Sequence, residues 1–133
     1  MTGNSRRPAL FFIRLPIALV WVYEGLWCKV LGRLPHHQAI VEAVPFVPAW
    51  AAHPLLTILG IAECGLALWV LAGWLPRWAA FAQISLLVGM NSCGLIWGRQ
   101  FIPDPAGLVF QNLAFVTLIV LATGEVRIAA AAN

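Results

Sequence analysis

Four stretches of mostly apolar residues constrain this chain more than any other feature of its sequence. They run over about residues 10–31, 54–74, 78–97 and 106–122. A helix needs about 20 apolar residues to cross the hydrocarbon core of a bilayer, so each stretch predicts one membrane span. Only 10% of the residues are charged, whereas about 25% is usual in soluble domains. These features exclude a disordered chain, a nucleic-acid-binding domain and a conventional cytosolic enzyme.

The connections between these stretches predict an all-α, up-down four-helix transmembrane bundle, with residues 1–133 as a single membrane domain. A tight turn at Leu75-Pro76-Arg77 joins the second and third spans, and residues 99–105 carry two prolines before the fourth. Connections this short place neighbouring helices antiparallel. The long connection after the first span contains a segment at about residues 36–44 that follows a proline and has one apolar face. This pattern predicts a short helix in the membrane interface.

The basic residues predict how the bundle is oriented. Four spans place both termini on one side of the membrane, where five arginines also fall: Arg6, Arg7, Arg14, Arg77 and Arg127. The other side carries three basic residues, Lys29, Arg33 and Arg99. Lysine and arginine are enriched in cytoplasmic segments, so we expect both termini in the cytoplasm.

Polar residues within the predicted spans gather at one depth. At 1.5 Å per residue they lie about 8–13 Å inside the helix ends that face away from the termini. They come from all four spans: Glu24, Glu63, Asn91, Ser92, Gln111 and Asn112. Ionisable groups in a membrane are costly, so Glu24 and Glu63 are candidates for proton exchange or for hydrogen bonding to a quinone-like head group. The alternative is that the carboxyl and amide groups hydrogen-bond to each other and hold the helices together.

Lys29 is the basic residue nearest to this polar layer. It follows Glu24 by five residues, which is about 140° around an α-helix, so the two side chains are not expected to pair within their own helix. We expect Lys29 either to reach a carboxylate on a neighbouring helix or to anchor the helix at the membrane interface.

Neither the histidines nor the cysteines predict a bound cofactor. His36, His37 and His53 all fall in the long connection, where solvated side chains are expected. A haem held between helices would need histidines on two spans, so no haem is expected. A surface metal site at His36 and His37 is the weaker alternative to solvated side chains, because adjacent residues diverge on a helix, and no metal site is predicted. The three cysteines contain no Cys-x-x-Cys pair and are expected to pack in the protein rather than to carry out redox chemistry.

Short motifs occur in a fixed order along the predicted membrane domain. The first span ends with Tyr23-Glu24-Gly25-Leu26-Trp27-x-Lys29, and Glu63 and Met90-Asn91 follow in the next two spans. Ile102-Pro103-Asp104-Pro105-x-Gly107 then leads into Gln111-Asn112-Leu113. In this order, the motifs resemble the DoxX-like family of small bacterial integral membrane proteins. The resemblance implies a four-helix bundle in the bacterial inner membrane, associated with quinone-linked sulfur oxidation, terminal oxidases or other membrane-bound oxidoreductases.

Three functions are compatible with these observations. The first is an accessory subunit of a membrane-bound redox complex, without catalytic activity of its own, that contacts a quinone. Its predicted ligand-binding residues are Glu24, Lys29, Glu63, Asn91, Gln111 and Asn112. The second is a purely structural subunit that scaffolds a larger membrane complex, and the third is a proton-coupled small-solute transporter, which would need a homodimer. The expected partners are the lipid bilayer and either other membrane subunits or a second copy of the chain.

Overall fold

Helices make up 85% of the chain in the computed structural model, which has no strands in the part that it describes. It describes the backbone of residues 6–131 and the side chains of residues 11–124. The first helix, α1, changes without a break into a π-helical segment, and a short 3₁₀ turn precedes the last helix. The elements in order are α1 (Arg6–Val22), the π-helical segment (Tyr23–Val30), α2 (Pro35–Glu42), α3 (Ala49–Ala72), α4 (Pro76–Trp97), the 3₁₀ turn (Arg99–Phe101) and α5 (Pro105–Ala131).

Four helical stretches in the described residues are long and apolar enough to cross a membrane. They are Phe11–Val30, Ala49–Ala72, Pro76–Trp97 and Pro105–Gly124, which confirms the prediction of four candidate spans. The second begins five residues before the predicted start at Pro54. The prediction was late because hydropathy marks where apolar residues begin rather than where the helix begins. Pro54 does not prevent the earlier start, since a proline inside the helix removes only one backbone hydrogen bond.

The outer surfaces of these helices are apolar. Large apolar side chains are exposed on every candidate span, including Phe12, Leu68, Phe81 and Phe110. Exposed apolar area on this scale is unusual for a protein in water. The four spans therefore imply contact with a lipid bilayer, as predicted.

The four long helices pack in a ring around a small core. α1 contacts α3 and α5, and α4 contacts the same two helices. Because each long helix contributes apolar side chains, the core joins all four: Ile17, Trp21, Leu66, Val70, Leu87 and Ile119. Within this core the Trp21 indole Nε1 donates a hydrogen bond of 2.9 Å to Gln83 Oε1, and both side chains are buried.

Gln83→Leu is expected to lower the free energy of unfolding by about 1–3 kcal/mol, because it leaves the buried Trp21 N–H without an acceptor. Thermal unfolding of the purified protein in detergent, followed by tryptophan fluorescence, measures this loss. Gln100→Leu is the control, since Gln100 is exposed in the 3₁₀ turn. Equal stability of the two variants would show that the Trp21–Gln83 hydrogen bond contributes nothing.

α2 packs over the end of the bundle where α4 ends. It contacts α3, α4 and the 3₁₀ turn, and its Ile40 side chain lies against Gly94 and Gly98 of the α4 terminus. A Cβ atom built on Gly98 would lie 3.0 Å from the Ile40 Cα, so the missing side chain lets the two elements approach. The predicted helix at about residues 36–44 is thus present as Pro35–Glu42, beside the polar residues of the first span.

Candidate functional site

The π-helical segment determines where its charged side chains lie. Its backbone hydrogen bonds join residues five apart, as in the bond from Leu31 N to Leu26 O at 2.8 Å. This wider turn brings Lys29 close to Glu24, with the Lys29 Nζ 3.5 Å from Glu24 Oε2. The prediction that these two side chains are poorly placed to pair within one helix was wrong, because it assumed the 100° step of an α-helix. π-Helical turns are rare in proteins, and many of those that occur lie at functional sites.

Lys29 also pairs with a carboxylate on a second span. Its Nζ donates a hydrogen bond of 2.9 Å to Glu63 Oε2 on α3. Glu63 is 0% exposed and Lys29 is 6% exposed, whereas the Glu24 side chain is 39% exposed. The principal contact is therefore a buried ion pair between two spans, with Glu24 as a weaker and more accessible second partner.

The second oxygen of Glu63 has no partner. Glu63 Oε1 is buried and is the only such side-chain atom without a hydrogen bond among the residues that the structure describes. A buried acceptor that lacks a donor costs about 1–3 kcal/mol. The oxygen thus keeps an acceptor position, which a donor from a ligand would reach only after a local movement, because the atom is buried.

Two glycines allow the ion pair to form. A Cβ atom on Gly25 would lie 2.5 Å from the Gly60 carbonyl oxygen, and one on Gly60 would lie 2.5 Å from the Gly25 carbonyl oxygen. The backbones of the π-helical segment and α3 thus approach more closely than any side chain would permit, as is common between membrane helices. This contact brings Lys29 within reach of Glu63.

The ion pair borders a cleft of about 980 Å³ with largely apolar walls. The cleft is lined by the four long helices, the π-helical segment and α2. All of the predicted ligand-binding residues line it: Glu24, Lys29, Glu63, Asn91, Gln111 and Asn112. Ser92, which lies at the same depth in the sequence, is exposed and does not line it. The six residues thus share one cleft, and their role in binding stays a prediction.

The amides in the cleft do not join the helices to one another. Asn91 Nδ2 donates 2.7 Å to Leu87 O of its own helix. Among the described residues, neither Gln111 nor Asn112 forms a side-chain hydrogen bond to another span. The side-chain hydrogen bonds between different spans in that part of the chain are Trp21–Gln83 and Lys29–Glu63. The geometry therefore does not favour the alternative in which these amides hold the helices together.

His37 and Cys28 also lie beside the charged residues. A ring nitrogen of His37, Cys28 Sγ and a carboxylate oxygen of Glu24 all lie within 4.8 Å of one another. His36 and His37 are both half-buried, so the prediction of solvated side chains was wrong for them, whereas His53 is exposed as expected. Burial, followed by the nearby charge of Lys29, lowers the pKa of His37 to about 4. Its imidazole is consequently neutral at neutral pH.

The sequence did not point to His37 as part of the cleft or to Gln83 as the partner of Trp21. His37 reaches the cleft because α2 packs over the end of the bundle, and no local pattern specifies that packing. Gln83 could have been found, since an amide in an apolar span needs a partner. Its acceptor role toward Trp21 depends on how the two side chains meet across the core, between α1 and α4.

The fold and the cleft define a small helical membrane protein with several spans. Residues 18–120 match the model of the DoxX-like family, and the chain belongs to that family. The matched region includes all six residues of the predicted site. No curated protein and no solved structure matches the chain.

Proposed function

We propose that this protein is an accessory subunit of a membrane-bound redox complex and that its cleft binds the head group of a quinone. The observation that carries the proposal is the buried Lys29–Glu63 pair, whose Glu63 Oε1 has no partner among the described residues and which borders an apolar cleft. Most of the cleft suits an apolar ligand, and its polar groups are few and convergent. That combination is typical of small-molecule sites.

The hydrogen-bonding groups fit both redox forms of a quinone. An oxidised head group presents carbonyl oxygens, which accept, and the reduced form presents hydroxyl groups, which donate. Lys29 has three N–H donors, and its Nζ lies 2.9 Å from Glu63 Oε2, 3.5 Å from Glu24 Oε2 and 3.4 Å from the Glu24 backbone oxygen. A quinone carbonyl oxygen would replace one of the two longer contacts of Lys29 with Glu24, and Glu63 Oε1 suits a hydroxyl. The quinone would supply the redox chemistry, and these residues would hold and orient its head group.

The proposed orientation places this cleft near the outer face of the bacterial inner membrane. In an up-down bundle with cytoplasmic termini, the π-helical segment and α2 lie at the outer end, and α2 lies in the interface. The larger number of arginines on the side of the termini supports this direction. The exposed Trp50 at the start of α3 supports the position of α2, because tryptophan is enriched at membrane interfaces.

Binding of a short-chain ubiquinone and of its reduced form to the purified protein in detergent tests the proposal. Trp21 lines the cleft, so quenching of tryptophan fluorescence provides one readout and equilibrium dialysis a second. We expect saturable binding of one molecule per chain. The variant Lys29→Met/Glu63→Leu should bind at least about tenfold more weakly, because hydrogen bonds to charged groups contribute about 1.5–3 kcal/mol.

Glu42→Gln is the matched control, since Glu42 is an exposed carboxylate of α2 whose partner is Gln38. It should bind like the unmodified protein. Equal binding by the double variant, once its fold is confirmed by circular dichroism, would contradict the quinone site. If the double variant also assembles into a redox complex and that complex keeps its activity, the result would favour a purely structural subunit.

A further inference from the structure

We infer that Glu24, Cys28 and His37 bind a zinc ion beside the Lys29–Glu63 pair, a site that goes beyond the proposed quinone contact. The three residues come from two elements that meet only in the folded protein. Glu24 and Cys28 belong to the π-helical segment, and His37 belongs to α2. One ligand atom from each lies within 4.8 Å of the other two.

The donor atoms indicate which ion the site takes. Thiolate, imidazole and carboxylate are the three ligand types of protein zinc sites, and three protein ligands leave a fourth position open. Magnesium and calcium prefer oxygen ligands throughout, so a sulfur and a nitrogen select against them. Three ligands with one open position are characteristic of zinc sites that bind a further small molecule.

The distances require only a small local change. Bonds of about 2.0–2.3 Å in a tetrahedral site place the ligand atoms about 3.3–3.6 Å apart. From their limit of 4.8 Å, the three atoms must therefore approach by at most roughly 1.5 Å. The Glu24 carboxylate can move, because its side chain is 39% exposed and its contact with Lys29 is 3.5 Å long. Cys28, in contrast, is buried and held in place.

The charges around the site supply an independent argument. The formal charges of Glu24, Lys29 and Glu63 sum to −1 at the border of a largely apolar cleft. A Cys28 thiolate makes this −2, and one Zn²⁺ brings the total to zero. Uncompensated charge is costly away from water. Lys29 does not oppose the ion strongly, because its charge is paired with Glu63 at 2.9 Å.

Metal titration of the untagged protein in detergent, after treatment with a chelator, tests this inference. Calorimetry with zinc chloride should give one ion per chain. Cobalt chloride should give an absorption band from thiolate-to-cobalt charge transfer, which reports the sulfur ligand directly. Cys28→Ser should abolish that band, and Cys28→Ser and His37→Asn should each weaken zinc binding at least tenfold.

Cys64→Ser and His53→Asn are the matched controls, because they alter a half-buried cysteine of α3 and an exposed histidine outside the cluster. Both should bind zinc like the unmodified protein. Glu24→Gln, which keeps the size of the side chain, provides a third ligand variant should one of the others fail to fold. Absence of binding, absence of the cobalt band, or equal losses in the controls would each overturn the inference. Neither Cys28 nor His37 takes part in the proposed quinone contact, so that proposal would stand.

Discussion

Glu63→Leu is expected to lower the free energy of unfolding by about 3–5 kcal/mol, because removing one partner of a buried ion pair leaves the other charge uncompensated. Lys29 is 6% exposed and loses its contact of 2.9 Å in this variant. Glu24 remains 3.5 Å away, so we expect a loss near the lower end of that range. The midpoint of thermal or denaturant-induced unfolding in detergent measures the effect.

Lys29→Met/Glu63→Leu should recover most of that loss. Replacing both members of a buried pair by apolar residues of similar size is often neutral or stabilising. In this variant no charge stays buried without a partner, and the unpaired Glu63 Oε1 is removed as well. A double variant as unstable as Glu63→Leu alone would show that the stability of this region does not depend on the pairing of Lys29 with Glu63.

Gly60→Ala is expected to have the second large effect on stability, a loss of about 1–3 kcal/mol from overpacking. The new Cβ would lie 2.5 Å from the Gly25 carbonyl oxygen and 2.8 Å from Val30 Cγ2. The first of these atoms belongs to the backbone, so the π-helical segment and α3 must move apart. That movement also separates Lys29 from Glu63, and quinone binding should fall together with stability.

Gly65→Ala is the control for this substitution on the same helix. Gly65 is exposed, and a Cβ built there meets no atom within 4 Å. Alanine is favoured over glycine within a helix by about 0.5–1 kcal/mol, so this variant should be as stable as the unmodified protein or slightly more stable. Equal behaviour of the two alanine variants would contradict the close approach of the Gly25 and Gly60 backbones.

The spans could be predicted from the sequence because the bilayer imposes a length and a composition on every helix that crosses it. The third predicted span, residues 78–97, ends at the same residue as α4, Trp97. The start of α3 at Ala49 was missed, since residues before Pro54 are less apolar and hydropathy carries no signal for helix capping. The DoxX-like family could be predicted from the order of the short motifs, and the family match confirms it.

The details of the site were harder to predict from the sequence. The shared depth of Glu24 and Glu63 followed from counting residues along each span. Their connection through Lys29 did not, because it depends on a π-helical turn that hydrophobic periodicity does not reveal. The place of His37 depends on the contact of Ile40 with Gly98, which joins residues far apart in the chain. Local patterns cannot specify such a contact.

Photolabelling with an azido-quinone, followed by mass spectrometry of the labelled peptides, tests the central claim most directly. If the head group lies beside Lys29 and Glu63, the label should appear on residues that line the cleft, such as Met90 and Phe115. It should disappear from them in the folded variant Lys29→Met/Glu63→Leu or in the presence of excess unlabelled quinone. Labelling spread over lipid-facing residues such as Phe81 and Phe110, and unchanged in the double variant, would contradict a quinone site in this protein.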